Sequence, residues 1–390
     1  MVPTPENRFR VLLYGQEFGV LHHRENFTRF EFDMGVDANN AVLGLQFTEG
    51  RLAANVRLPP WFSNLLPEGQ LLAWIERSYG QSSEINLLAR LGGDLPGAVS
   101  VLPVDGPVAE VATDPLCAFS LGGVGLKFSM IARGGRFTPA TGTRGDWIVK
   151  LPAADVPHLP RNELAMMTLA RAVGIDVPDV ALVHRDQIDL PAAAWQGSEA
   201  FAYAIRRFDR GPDGEAIHME DLAQVRGFYP EQKYTGAFEM VASLVYGGQR
   251  DVEGLREFAR RLAFNVVIGN GDAHLKNWSL IYRDRRDRRV PTLAPAYDLV
   301  CTAVYAASSN PEDLGLKFCG SKRFEAVRLS HFAALDARLS ANAGLVDIVA
   351  DVVDRVVAEW PSVEPLLPEE QDLRARVDAR LSRGIAMLRR

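Results

Sequence analysis

The sequence predicts an α+β fold whose two styles are segregated along the chain, and three observations carry that reading. From residue 8 to about 105, short stretches rich in β formers ("RFRVLLYG", "FTRFEFD", "NAVLGLQF") alternate with turns, with Gly15, Gly19 and Gly50 as punctuation. After about residue 216, apolar residues recur with a period near 3.6, over 235–246, 252–269, 342–359 and 368–388. No internal repeat, low-complexity tract or long linker interrupts the two regions.

The elements between follow from local signals. A helix after Pro67 runs through Leu71, Leu72, Ile75 and Glu76 at helical spacing, and the preceding "FSNLLPEG" is expected to be buried against the N-terminal sheet. Residues 116–151 read as strands around a glycine-rich turn, "FSLGGVGLKFSMIA". A helix over 161–173 would turn Leu164, Met167, Thr168 and Ala172 inward and end at Gly174. "LREFARRLAFNVVIG" puts Leu255, Phe258, Leu262 and Val266 on one helical stripe that stops near Gly269. "GNGDAHLKN" is then a loop, and "WSLIY" a strand that turns back at "RDRRDRR" (283–289), a solvated hairpin tip.

Composition narrows the function classes. A chain of 390 residues holds two or three compact units, and 47% apolar with 24% charged residues is ordinary for a soluble globular protein. A net charge of -6 argues against a generic binder of polyanions. The three cysteines, Cys117, Cys301 and Cys319, are far apart and form no C-x-x-C pair, which fits free thiols in a reducing cytoplasm. No signal-like start is present and no apolar run approaches the roughly 18 residues of a spanning helix, so a cytoplasmic protein without membrane contact is expected.

The loop concentrates the chemistry. Asp272, His274 and Asn277 form D-x-H-x-x-N between two apolar runs. Phosphoryl transfer from ATP needs a carboxylate to receive or orient the attacking hydroxyl and a nearby amide oxygen to hold magnesium. A short irregular loop can turn Asp272 and Asn277 toward one centre. A second metal-binding carboxylate is nominated in Asp298 of "LAPAYDLV", which a hairpin of "WSLIY" and "VPTLAPAYD" would return to the loop. Magnesium takes oxygen ligands, so one Asn and one Asp suit it, whereas His274 would hold the loop by hydrogen bonds. Lys150 ends the alternating strand "DWIVKLP", and Glu163 stands in the first turn of the next helix, the order in which a kinase pairs a phosphate-binding lysine with a glutamate.

The segments "FSNLLPEG" (62–69), "LGGDLPGAVSVLP" (91–103), "WIVKLP" (147–152), "NELAMMTLARAVGIDVPD" (162–179), "IRRFDR" (205–210), "MEDLAQVRGF" (219–228), "GDAHLKNWSL" (271–280) and "PAYDLV" (295–300) resemble the HipA family. Those are serine/threonine-protein kinases acting as toxins of type II toxin–antitoxin pairs. The resemblance implies a protein-kinase-like two-lobe fold with an extra β-rich N-terminal subdomain (8–105), a kinase N-lobe-like region with a glycine-rich loop and hinge (106–215), and a mainly helical C-lobe with the catalytic loop (216–390). It also implies ATP and Mg2+ as cofactors.

Residue by residue, the resemblance makes Asp272 the catalytic aspartate, Asn277 and Asp298 the magnesium ligands, and Lys150 the lysine on the phosphates. "IRRFDR" matches the hinge that receives adenine through main-chain groups, with Phe208 at the aromatic position and Arg206 where the family has Glu. His274 and Lys276 join the nucleotide side. In "SLGGVGLK" (120–127), Ser120, Gly123 and Lys127 match the family's phosphate loop while Gly125 replaces its Gln, and Ser120 falls at the autophosphorylated serine. The implied partners are a helix-turn-helix antitoxin, operator DNA reached through it, and a translation component such as an aminoacyl-tRNA synthetase as substrate. Two other classes compete: a small-molecule phosphotransferase and a catalytically inactive kinase-fold corepressor.

Overall fold

Alternation in "NRFRVLL" buries Phe9, Val11 and Leu13 on one face of strand β1 (Asn7–Leu13). The chain reverses through Tyr14 and Gly15, both at positive φ (53° and 78°), the geometry of a tight hairpin turn, and returns as β2 (Gln16–Arg24). With β3 (Phe27–Phe32), β4 (Ala53–Asn55) and β5 (Val99–Pro103) these make an antiparallel sheet in the order β4-β3-β2-β1-β5. Gly19 lies inside β2 rather than in a turn. A Cβ there would come within 2.3 Å of the Glu31 carbonyl oxygen, so a close strand approach, not punctuation, requires the glycine.

Helices α1 (Pro60–Ser63) and α3 (Glu84–Leu91) pack on this sheet, and α2 (Gly69–Tyr79) joins the same core, with its Trp74 ring 6.0 Å from that of Phe128. Phe62, Leu65 and Leu66 are buried as expected, and so is Trp61 before them, with the Phe62 ring 5.3 Å from that of Phe30. Helix α3 lies outside the helices read from the sequence, although Ser83 before it, Ile85, Leu88 and Leu91 on one face and Gly92 after it mark its bounds.

A second sheet follows, built from β6 (Lys127–Arg133), β7 (Arg136–Pro139), β8 (Trp147–Lys150) and β10 (Phe201–Arg206) in the order β7-β6-β8-β10, with β9 (Val180–His184) at the far edge. Strand β11 (His218–Asp221) leads into α5 (Leu222–Arg226), whose start is fixed by a reciprocal pair: Gln224 N–H donates to Asp221, and the Asp221 N–H donates to Gln224.

The structure, a computed structural model, describes residues 6–33, 44, 52–80, 83–104, 126–140, 144–195, 197–247, 250–284, 291–307, 312–369 and 372–390. The expected strand in "NAVLGLQF", apart from Gly44, and positions 285–289 of "RDRRDRR" lie outside the described residues, as do Cys117, Ser120, Gly123 and Gly125. The chain divides into two compact units. The first comprises Met1–Ala153, Val183–Lys233 and Ile281–Pro291, and the second Ala154–Leu182, Tyr234–Leu280 and Thr292–Arg390.

The second unit is helical: α4 (Leu159–Ala172), α6 (Phe238–Tyr246), α7 (Val252–Ile268), α8 (Leu329–Leu339), α9 (Leu345–Val363) and α10 (Leu373–Leu388). Helix α7 is its axis, packed by α6, α9 and α10, with Leu255, Phe258, Leu262 and Val266 at zero exposure. Helices α9 and α10 begin later than their periodicity predicts, because Gly344 and Asp372, the residues before them, adopt left-handed backbone. The inward face of α4 also differs from expectation. Leu164, Thr168 and Ala172 are only half-buried, whereas Asn162, Glu163, Met166, Met167, Leu169 and Ala170 are buried. Burial around much of the helix erases the one-sided pattern, and Asn162 is drawn in by bonds to the backbone of Cys301. Burial pushes the thiol of Cys301 up to about 12, as suits an inert core cysteine. Among the described residues, no helix is long and apolar enough to cross a membrane.

Candidate active site

Helix α7 ends where Gly269 turns left-handed (φ 69°), and Arg380 of α10 donates to the Val266 carbonyl at 2.6 Å, satisfying an end of the helix that would otherwise lack a partner. A Cβ on residue 269 would meet Arg380 Nε at 2.1 Å, so this junction admits only glycine. From this fixed point the loop is woven by side chains. Asn270, 1% exposed, donates through Nδ2 to Asn265 Oδ1 (2.8 Å) and to the Asp298 carbonyl (3.2 Å), and its Oδ1 accepts the Asp272 N–H (3.1 Å). One buried amide thus ties the loop of Asp272 to the turn of Asp298.

The Asp272 carbonyl accepts two bonds, from the His274 N–H (2.7 Å) and from Asn277 Nδ2 (2.7 Å). Because the Asn277 nitrogen faces into the loop, its Oδ1 is the atom left for a cation. Strand β12 (Ser279–Tyr282) leaves the loop and β13 (Thr292–Leu293) returns beside it, with the Ala294 N–H on the Ser279 carbonyl. Asp298 then sits at φ 56°, a conformation uncommon for a residue with a Cβ and often met where a side chain must be aimed. Asn277 and Asp298 line one small cavity together with Asn265 and Asn270.

His274 is buried (2%) with Nε2 3.7 Å from Asp272 Oδ1, too far for a hydrogen bond. Lys276 is largely buried, and its carbonyl accepts the Tyr297 hydroxyl at 2.8 Å. Two further groups reach Asp272 that sequence reasoning missed. The Tyr234 hydroxyl donates to Oδ1 at 2.5 Å. Burial raises Glu312 above the ordinary carboxylate range, and the neighbouring Asp272 charge adds to it.

In the first unit, the register of the second sheet sets Lys127 opposite Lys150, and Tyr203 opposite Lys150 on the other side. The Lys150 Nζ lies 5.3 Å from the centre of the Tyr203 ring. Arg206 is exposed and Phe208 half-buried at the end of β10. Their neighbours Arg207, Asp209 and Arg210 are buried in an ionic cluster with Asp94 of "GGDLPG". Arg207 grips Asp209 with two bonds (3.0 and 2.8 Å) and Asp94 with one (3.0 Å), while Arg210 reaches Asp94 at 2.6 Å and Asp209 at 2.9 Å. Burial alone would raise Asp209, but the two guanidinium groups hold it well below the usual carboxylate range. Lys150, Arg206 and Phe208 thus belong to the first unit, and Asp272, His274, Lys276, Asn277 and Asp298 to the second, as does Glu163.

Asn270→Ala removes two donated bonds and one accepted bond inside the loop. It is expected to lower stability by about 1–3 kcal/mol, measured by urea denaturation, because the Asp272 N–H and the Asp298 carbonyl lose buried partners.

An α+β chain whose buried helix delivers Asp272 and Asn277 beside a returning Asp298 has a protein-kinase-like fold. A model of the HipA N-terminal domain matches residues 9–102 and one of the HipA-like C-terminal domain matches 119–360, and the chain belongs to the HipA family. It is 40% identical over 386 residues to Y4dM of Sinorhizobium fredii, covering 92% of each chain. It is 27% identical over 288 residues to the serine/threonine-protein kinase toxin HipA of Shewanella oneidensis, covering 62% of each. A chain of the Shewanella oneidensis complex of HipA, HipB and operator DNA superposes with a TM-score of 0.72 at 20% identity, covering 97% of this chain and 96% of that one.

Proposed function

We propose that this protein is an ATP- and magnesium-dependent serine/threonine-protein kinase acting as the toxin of a toxin–antitoxin pair. The observation that carries the reading is the loop after α7, which orients Asp272 and the Asn277 carbonyl oxygen beside Asp298 through buried side-chain bonds. In this reading the acceptor hydroxyl oxygen bonds to the γ-phosphorus and gives its proton to Asp272. The bond from that phosphorus to the β–γ bridging oxygen breaks, and ADP leaves with the electron pair.

Asn277 and Asp298 fit magnesium, since both offer hard oxygen donors. When bound, the ion neutralises charge on the phosphates. Lys127 and Lys150, in direct register on neighbouring strands, bring two ammonium groups to one place on the sheet, which suits a polyanion. Residues 205–210 would offer adenine the main chain around Arg206 and Phe208, with the segment held by the Asp94 cluster. His274 and Lys276 support the loop on its nucleotide side. Resemblance supports Ser120 as the site of self-phosphorylation, with Gly123 in the phosphate loop. It also supports a helix-turn-helix antitoxin as partner, operator DNA reached through it, and a translation component such as an aminoacyl-tRNA synthetase as substrate. The Shewanella complex is a precedent for the first two partners.

The test is incubation with γ-labelled ATP and cell lysate, with and without magnesium. Label on a discrete protein band, lost on chelation, is the expected result. Label on a metabolite alone would establish a small-molecule phosphotransferase, and no transfer at all would end the kinase reading.

A further inference from the structure

The Asp272 side chain is about one-third exposed (32%), and a carboxylate there has two equivalent oxygens and a torsion that exchanges them. The structure does not leave them equivalent. Oδ1 accepts the Tyr234 hydroxyl at 2.5 Å, while Oδ2 accepts no hydrogen bond among the described residues.

Tyr234 is itself 43% exposed, so burial alone does not account for its pose. Its ring meets the buried His274 ring edge-on, with centroids 5.0 Å apart and planes at 82°. The Lys322 ammonium lies 5.8 Å from the ring centre and donates to the Tyr234 carbonyl (3.3 Å) and to the Gly315 carbonyl (2.9 Å). Gly315 in turn presses on the loop: a Cβ there would come within 2.8 Å of the Ala273 carbonyl carbon. The phenol is therefore aimed from two sides, by an imidazole of the loop and by a lysine anchored against it.

We propose that Tyr234 is a positioning residue of the phosphoryl-transfer site, holding Oδ1 of Asp272 so that Oδ2 is the oxygen presented to the acceptor hydroxyl. The inference rests on the kinase reading of this loop. It assigns the acceptor proton to Oδ2 during transfer, while the Tyr234 proton stays on the phenol. Removing the hydroxyl frees the carboxylate to rotate, which lowers the fraction of encounters in which a lone pair faces the acceptor. Nucleotide binding does not depend on that orientation.

Tyr234→Phe keeps the ring against His274 and Lys322 and deletes only the hydroxyl. Wild type, Tyr234→Phe and Asp272→Ala are compared in three measurements. They are the initial rate of label transfer from γ-labelled ATP to the chain itself and to a fixed amount of lysate over a range of MgATP, the affinity for a fluorescent ATP analogue, and the melting temperature. The expected result for Tyr234→Phe is a kcat lower by roughly 10- to 100-fold, the scale of a misaimed catalytic group, with KM for ATP, analogue affinity and melting temperature unchanged. An unchanged or raised kcat overturns the proposal, as does a loss of kcat accompanied by equal losses of nucleotide affinity and melting temperature. A wild type that transfers to nothing removes the kinase reading and this inference together. Wild-type transfer abolished by Asp272→Ala but untouched by Tyr234→Phe removes this inference alone.

Discussion

Asp272→Ala is expected to reduce phosphoryl transfer by about 10²–10⁴-fold, the usual worth of a positioned proton acceptor, while leaving the fold intact. The fold survives because the buried bonds of the loop use the backbone of residue 272, and its side chain adds only the exposed bond from the Tyr234 hydroxyl. Its N–H donates to Asn270, and its carbonyl accepts from His274 and Asn277. Alanine preserves all three. Transfer assays paired with thermal melts separate the two effects: a large loss of transfer with an unchanged melting temperature is the predicted signature. Equal labelling by variant and wild type would remove Asp272 from the mechanism.

The largest stability effect is expected far from that loop in sequence, at Asp94. Asp94→Ala leaves two buried guanidinium groups, Arg207 and Arg210, facing the single carboxylate of Asp209. Removing one partner of a buried ionic cluster typically costs about 3–5 kcal/mol, because the remaining charge is stranded without water. The cluster also predicts a pH dependence with a definite sign. Asp209 is held below its ordinary value of 3.8 by the arginines, so the folded state binds its proton less readily than the unfolded state does. Its contribution is complete well above that ordinary value and drains away as the pH falls through and below it. Urea midpoints at pH 7, 5 and 3 should stay level over the first step and fall over the second. A chain with the same midpoint in Asp94→Ala as in wild type would show the cluster to be energetically silent.

What could be read from the chain, and what could not, divides by the range of the interaction. The helix running into "GNGDAHLKN", its stop at Gly269 and the strand behind it are local signals, since period, glycine and turn residues all lie within a few positions. The return of Asp298 to the loop needed only one step more, the closure of a hairpin. Tyr234 precedes Asp272 by 38 residues and carries no periodicity or motif that ties the two together, so its hydroxyl on Oδ1 is visible only in the fold. Lys127 looked like the end of a glycine-rich loop. Its place opposite Lys150 is a matter of strand register, which composition does not encode. The Asp94 cluster joins residues more than a hundred positions apart, through arginines that would be assumed to lie in solvent. Helix α4 misled for the opposite reason, because an element buried around most of its surface has no preferred side for the sequence to mark.

The guanidinium that closes the end of α7 is made well after the carbonyl it caps. Arg380 follows the Val266 carbonyl it caps by 114 residues. At elongation rates of about 5–20 residues per second, that interval lasts on the order of 6–23 s on the ribosome. A nascent chain that has already emitted Asp272 therefore waits for α10 before the helix end beneath that residue is capped, so the loop and its support are separated in time by the order of the polypeptide itself.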